Sequence, residues 1–276
     1  MLPFATAAGL TDTEFRHIAK LLHEHTGIRL GPGKETLVTA RLDKRVRQLG
    51  LSGYAEYVDL IDDRHDEAEL HQMINLLTTN ETFFFREPRH FEFLAQVLVP
   101  ARPVGRAFRM WSAASSTGEE AYTAAMVLAE RMPPPSWEIV GSDISSRVVE
   151  VAGRALYPIE AAGKIPPELL RKYCLRGREE YEGLFTIGRE LRGRVEFHCL
   201  NLMGDVRKLG RFDVIFLRNV MIYFDVDTKR DLVSRLQNML HPDGHLIIGS
   251  SESLNSISGG LRMVEPSIYR LAGAHV

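Results

Sequence analysis

Ala107-Phe108-Arg109-Met110-Trp111-Ser112-Ala113 runs directly into Ala114-Ser115-Ser116-Thr117-Gly118-Glu119-Glu120, and the reading of this junction decides the fold. The first half reads as a buried strand, and the second is a turn of small side chains opening a helix that extends to about Arg131. Small side chains let a ligand lie against the main chain, and the helix start offers free N–H groups. Glu119 and Glu120 sit in the first helical turn, where they stabilise the helix themselves and repel a phosphate. A pyrophosphate-binding loop needs more glycine than the single Gly118 provides. The turn suits a nucleoside with a positive centre and no phosphate.

Downstream, strands alternate with helices. Trp137 to Ser142, Val195 to Cys199, Phe212 to Leu217 and His245 to Gly249 read as strands. Ser146 to Ala155 and Thr228 to Leu240 read as helices. That grammar predicts an α/β domain with a mostly parallel sheet, covered on both faces, that binds ligands outside the carboxyl ends of its strands. The charged, Gly-rich stretch from about 176 to 194 fits the scheme poorly. Its Leu184-Phe185-Thr186-Ile187 signal between turns predicts a small β-hairpin insert.

Each strand end carries a group that can bind a ligand or serve the fold. Asp143 closes the second strand, where an acid accepts both hydroxyls of a ribose or else caps the helix that follows. Asn201-Leu202 follows the third strand, where an amide reads an adenine edge beside an apolar contact, or simply makes a turn. Arg218-Asn219 closes the fourth and runs into Val220-Met221-Ile222-Tyr223-Phe224. An arginine ending so apolar a strand needs a partner, either a ligand or a structural carboxylate. A small-residue turn, an acid, an amide and an Arg-Asn pair, in that order, match what S-adenosylmethionine requires.

Upstream, residues 11–79 are helical in pattern. Thr11 and Glu14 have the spacing of a capping box, Phe15, Ile18, Leu21 and Leu22 form an apolar stripe, and Gly27 is a C-terminal stop. A second helix from Lys34 to about Leu49 presents Val38, Leu42, Val46 and Leu49 on one face, with Lys34, Arg41, Lys44 and Arg45 on the adjoining arc and Arg47 further round. Shorter helices are expected from Tyr54 to Ile61 and from Asp66 to Leu77. Between the helical and alternating regions lies Asn80-Glu81-Thr82-Phe83-Phe84-Phe85-Arg86. Consecutive aromatics cannot share one face, so part of the trio is expected to meet something other than its own domain core. Arg86 either holds a carboxylate by its fork or lies solvated at a hydrophobic seam.

Composition narrows the classes. The 276 residues, 45% hydrophobic and 25% charged, are those of a globular protein with one large and one small domain. No apolar run reaches the ~18 residues of a membrane span, and residues 1–10 lack a leader pattern, so a cytoplasmic location is expected. Cys174 and Cys199 have no metal-like spacing. A net charge of −2 gives no general pull towards nucleic acid.

Several long, ordered stretches carry a specific resemblance. They are Leu77-Thr78-Thr79-Asn80-Glu81-Thr82-Phe83-Phe84-Phe85-Arg86-Glu87, then Trp111 to Glu120, Ser142-Asp143-Ile144, Arg218 to Phe224, His241-Pro242-Asp243-Gly244 and Ser251-Glu252-Ser253. The chain resembles CheR-type chemotaxis receptor methyltransferases over nearly its whole length. The resemblance implies a class I, Rossmann-like methyltransferase domain over 104–276 with the insert at about 176–194. An N-terminal helical receptor-recognition domain over 1–79 and a linker over 80–103 would precede it. It implies that S-adenosylmethionine, leaving as S-adenosylhomocysteine, is held by Asn80, Thr82, Arg86, Glu120, Asp143, Asn201, Leu202, Arg218 and Asn219. It further implies that the basic helix, through Arg41, Lys44, Arg45 and Arg47, meets the cytoplasmic methylation helices of chemoreceptors, with the protein recruited to membrane receptor arrays. The insert is similar to a β-subdomain that in some family members docks a receptor C-terminal peptide. The expected product is a glutamate methyl ester, with Arg86 and Tyr223 serving the reacting groups and no metal, catalytic His or catalytic Cys.

Two competing classes leave different signatures. An amino-methylating nucleic-acid enzyme needs an acid or Asn followed by Pro-Pro-aromatic where this chain has Arg218-Asn219-Val220-Met221. A cytosine C5 enzyme needs a Cys after a Pro, and neither cysteine follows one. A non-catalytic receptor-binding module would have lost the ribose acid or the small-residue turn, and both are intact.

Overall fold

A computed structural model of the chain describes residues 9–62, 66–102 and 104–272. The ends of the expected domains at 1–8 and 273–276, residues 63–65 and residue 103 lie outside the described residues. The described chain divides into two compact units. One runs up to Thr79 and adds Tyr223–Asp225, and the other comprises Asn80–Ile222 and the chain from Val226.

The first unit consists of α1 (Asp12–Thr26), α2 (Glu35–Gln48), α3 (Tyr54–Asp62) and α4 (Glu67–Leu77). Both arms of the Thr11–Glu14 capping box form, and Gly27 terminates α1 in the left-handed region at φ 74°. Asp66 caps α4 by accepting from the Glu69 amide. The apolar stripe of α1 is buried with Val38, Leu42 and Val46 of α2 and with Tyr54, Tyr57, Met73 and Leu77. Tyr223–Asp225 joins this unit through the Tyr223 carbonyl, which accepts from the Arg29 amide at 2.8 Å, and through Asp225, 3.7 Å from His23.

The second unit opens with α5 (Pro88–Phe93), whose first-turn proline needs no amide partner. Then follow β1 (Phe108–Ser112), α6 (Glu119–Ala129), β2 (Trp137–Asp143) and α7 (Ser146–Arg154). Next come β3 (Leu156–Pro158), α8 (Pro167–Tyr173), β4 (Cys174–Arg176), β5 (Leu184–Ile187), α9 (Arg189–Arg192) and β6 (Val195–Cys199). The chain ends with β7 (Phe212–Leu217), α10 (Val226–Gln237), β8 (Leu240–Ile248), β9 (Leu261–Glu265) and β10 (Ile268–Leu271). The main sheet has the order β6-β2-β1-β7-β8-β10-β9. All its pairings are parallel except those of β10 with β8 and β9. Winding proceeds outward from β1 to β2 and β6, then resumes on the other side of β1 with β7. The β1–β7 boundary is therefore the switch point at whose carboxyl ends open α/β sheets bind ligands.

Two features depart from the sequence expectation. The insert is not a hairpin confined to 176–194 but a three-stranded antiparallel sheet, β3-β5-β4, beginning at Leu156. Its first strand is only three residues long, too short for a period-2 signal. β8 begins at Leu240, five residues before the expected start, because the His241-Pro242-Asp243-Gly244 turn is absorbed where the β7–β8 register shifts. Proline is tolerated there because the ladder is already interrupted.

The three rings of the aromatic trio go to different surroundings. Phe84 is fully buried, edge-on to Tyr157 at 5.0 Å and beside Phe185 at 5.9 Å. Phe85 packs beside Phe91 at 6.0 Å, and Phe83 stays 38% exposed. Phe85 turns the chain with a φ of 58°, which lets successive rings diverge.

Candidate functional site

The turn after β1 is built for close approach. Gly118 has a φ of 95°, and a Cβ there would lie 2.9 Å from the Ala152 Cβ, so no side chain fits. Ser116, at φ 49°, directs its amide to Asp143 Oδ2 at 2.9 Å, while Asp143 Oδ1 accepts from the Ser145 amide at 3.0 Å. Asp143 therefore locks the β1 turn to the end of β2. Burial pushes its carboxyl above the usual range, against the pull of these amides. An ionised carboxylate has about four lone-pair sites, so these bonds leave Asp143 with acceptor capacity to spare.

The Asn80–Arg86 loop lies over the same turn. Its Asn80 carbonyl accepts from Ser116 Oγ at 2.8 Å, and the Phe85 amide donates to Thr123 Oγ1 at 3.1 Å. Arg86 spends one guanidinium nitrogen on the Glu81 carbonyl at 2.9 Å, closing its own loop. Thr82, between them, is half-buried.

Arg218, at the end of β7, is the hub. Its side chain is 2% exposed. One guanidinium nitrogen donates to Glu120 Oε2 at 2.8 Å, and the other lies 3.3 Å from Glu87 and donates to the Arg86 carbonyl. Glu120 in turn accepts from Ser112 Oγ at 2.6 Å. The guanidinium also lies over Phe91 at 5.4 Å and Phe216 at 5.8 Å. Sequence left a ligand or a structural carboxylate as the partner of Arg218, and the structure supplies two carboxylates. Its Nε remains buried without an acceptor among the described residues, as does Ser145 Oγ.

Glu87 and Glu252 are the residues that sequence reasoning missed. Both lie inside quoted motif stretches, which was the only signal available. Glu87 accepts from Asn219 Nδ2 at 3.3 Å and from the Ser250 amide at 3.1 Å. Glu252 gathers the amides of Gly249 at 2.8 Å, Asn219 at 2.9 Å and Ile222 at 3.2 Å. Together they pin Asn219, whose φ is 58°, and join the ends of β7 and β8. Left-handed non-glycine residues at Phe85, Glu87, Ser116 and Asn219 surround one cleft, the kind of stored strain that concentrates at functional sites. Beside Glu87, burial foremost and then the Arg218 charge push His90 down to about 4, so it is neutral at pH 7.

Other expected residues occupy different settings. Asn201 turns its side-chain oxygen onto the Met203 amide at 2.9 Å, the turn reading, beside buried Leu202. Tyr223 groups with the helical unit. Two of the four basic side chains of α2 hold their own unit together. Arg41 donates to the carbonyls of Leu77 at 2.6 Å and Thr78 at 3.1 Å and to Thr79 Oγ1 at 2.9 Å, securing the end of α4. Arg45 grips buried Glu69, which also accepts from the Tyr57 hydroxyl at 2.8 Å. Lys44 and Arg47 are exposed.

Residues 80–269 match the family model described as CheR methyltransferase, SAM binding domain, and residues 13–78 match the CheR methyltransferase all-alpha domain. The chain belongs to the CheR methyltransferase family. Curated relatives named chemotaxis protein methyltransferase include one from Salmonella typhimurium, 38% identical over 99% of this chain and 94% of the relative. Another, from Escherichia coli, is 38% identical over 99% of this chain and 95% of the relative. Chemotaxis protein methyltransferase 2 of Pseudomonas aeruginosa is 39% identical over 94% of this chain and 93% of the relative. This CheR family member is thus an S-adenosylmethionine-dependent methyltransferase of chemotaxis. Its small-residue turn, Asp143 with acceptor capacity to spare and the orphan Arg218 Nε fit a nucleoside that carries an amino-acid group. No helix among the described residues is long and apolar enough to cross a membrane.

Proposed function

We propose that this CheR family member transfers the methyl group of S-adenosylmethionine to glutamate side chains of chemoreceptors, forming methyl esters in the cytoplasm at receptor arrays. The observation that supports this reading is the Asp143 carboxylate at the end of β2, fastened to the β1 turn and suited to accept from a ribose lying against it. Asn80, Thr82, Arg86, Glu120, Asn201, Leu202, Arg218 and Asn219 complete the donor pocket.

When bound, the donor presents an electrophilic methyl on a sulfonium, which a carboxylate can attack in one displacement. A glutamate with a pKa of ~4.3 is already ionised at pH 7, so no general base is needed. The protein's part is alignment and removal of water from the carboxylate. Arg86 orients the reacting groups from a loop fixed at both ends. Labelled donor incubated with receptor membranes is expected to yield base-labile methanol, and stable N-methylated products would exclude the reading. Arg86→Ala is expected to lower transfer about 10²-fold, because misplacing a reactant by an ångström costs that much. Near-wild-type turnover would remove Arg86 from the mechanism.

Exposed Lys44 and Arg47 support receptor recognition by α2, where an acidic helix would meet them. A cavity of about 740 Å³ on the three-stranded sheet supports peptide docking there. Arg154, Arg176, Arg178 and Arg192 rim it beside Leu175 and Tyr181, a lining suited to an acidic peptide carrying an aromatic side chain. Arg176→Glu is expected to abolish binding of a receptor C-terminal peptide in calorimetry while methylation of a tail-less receptor is unchanged. Undiminished peptide affinity would place docking elsewhere.

A further inference from the structure

Phe83 is the one ring of the aromatic trio left in the open, and two cations sit on it. The Arg86 guanidinium lies 5.7 Å from its centroid and the Lys164 ammonium 5.6 Å. Lys164 is exposed and ends the short helical turn Ile159–Lys164, whose Ala162 and following Ile165 are buried. Neither cation has a carboxylate within ion-pair distance among the described residues, in a sequence that carries 36 acidic residues. Two like charges over one exposed ring gain only about 0.5–1 kcal/mol each from the ring face, and they repel one another. As structural glue, the arrangement is weak.

Its location gives it a use. Phe83 lies between Asn80, whose carbonyl is fastened to Ser116, and Arg86, whose carbonyl is fastened to Arg218. The loop therefore borders the cleft at the carboxyl ends of β1 and β7. Lys164 comes from the other wall. Its segment follows β3, where the Tyr157 hydroxyl donates to the Thr117 carbonyl of the same turn at 2.8 Å. Phe84, immediately beyond Phe83, packs on Tyr157 and locks the two walls together. The two cations are thus presented by elements each anchored to the donor turn.

We propose that Lys164 is a substrate-selecting residue, which with Arg86 across the Phe83 ring captures the carboxylate of the incoming acceptor at the mouth of the donor pocket. The assignment rests on the acceptor being a carboxylate, as proposed above. Lys164 supplies a hydrated, mobile ammonium with three donors, suited to releasing a carboxylate that loses its charge on esterification. Arg86, with one nitrogen committed to Glu81, supplies the fixed member of the pair. Phe83 keeps both heads above an apolar floor, where a charge-assisted hydrogen bond gains strength.

Steady-state kinetics on wild-type protein and on Lys164→Ala, Lys164→Arg and Lys164→Glu, with receptor membranes and labelled donor, test this, alongside calorimetric titration of the donor. Lys164→Ala is expected to raise KM for receptor about five- to tenfold, the loss of one partly exposed charge-assisted bond. kcat and donor affinity should stay unchanged. Lys164→Glu should raise KM further, and Lys164→Arg should restore most of the loss, which a purely structural role would not do. An unaltered KM in both the Ala and Glu variants would overturn the proposal. So would a matching loss of donor affinity, since Lys164 would then hold the donor's own carboxylate. Failure of the underlying reading is separable, because wild-type protein would then release no base-labile methanol.

Discussion

Arg218→Met is expected to lower the thermal midpoint by about 6–12 °C and to abolish transfer. Removing the guanidinium strands Glu87 and Glu120, whose side chains are only 20% and 12% exposed, and deprives the Arg86 carbonyl of its donor. Breaking one partner out of a buried ionic group costs about 3–5 kcal/mol. We take the lower end because both acids retain some water, and for a unit of this size each kcal/mol moves the midpoint by about 2–4 °C. Arg218→Lys should recover part of this loss, since an ammonium can meet either acid but cannot span both with a planar fork. The deficit should also depend on pH. Burial pushes Glu87 up, but the Arg218 charge and the bonds from Asn219 and Ser250 outweigh it and hold the group below the ordinary range. The stability Glu87 contributes is therefore present above about pH 4.3 and is lost as pH falls through its lowered value. In Arg218→Met only burial and weaker bonds remain, so a protonated Glu87 costs less than an ionised one. The gap between wild type and variant should narrow from pH 7 to pH 4, and a constant gap would mean that Glu87 is not the stranded charge.

Asp143→Asn is expected to weaken donor binding about 10- to 100-fold in calorimetry, with little change in fold. The carboxylate accepts from two backbone amides at once. An amide in its place keeps one acceptor and points an N–H₂ at the other donor, releasing either the β1 turn or the start of α7. Losing charge-assisted bonds to amide and ribose costs about 1.5–3 kcal/mol, which is that range in affinity. Because burial sets the Asp143 pKa above the usual carboxylate range, donor affinity in the wild type should fall as pH drops through that raised value, and the Asn variant should lack this dependence. Wild-type affinity in Asp143→Asn would return the residue to a structural role.

The second of these residues was legible before any coordinates, and the partners of the first were not. A strand-end acid has a position in the alternating pattern, so Asp143 could be singled out as a candidate. Arg218 could be named too, but Glu87 and Glu120 lie more than ninety residues earlier in the chain, and no local pattern encodes a pairing over that distance. Glu252 was similarly hidden, because a carboxylate serving backbone amides leaves the same letters as one serving solvent. The basic arc of α2 is a further case. Helical spacing put Arg41, Lys44, Arg45 and Arg47 around its polar side, yet which arginine head is spent on the α4 carbonyls or on Glu69 depends on what packs alongside.

Sequence by itself determined the alternation of strands and helices, the turn at Ser115–Gly118, the helical character of residues 11–79 and the family, because periodicity, capping chemistry and ordered motifs are properties of neighbours along the chain. Tertiary structure alone decided the sheet order that puts β7 beside β1, the three-stranded sheet grown from Leu156, the division of the Phe83–Phe85 trio and the carboxylates that hold Arg218. Those outcomes depend on which surfaces meet across the fold, where burial makes every unpaired polar group costly and only a particular set of distant partners removes the cost.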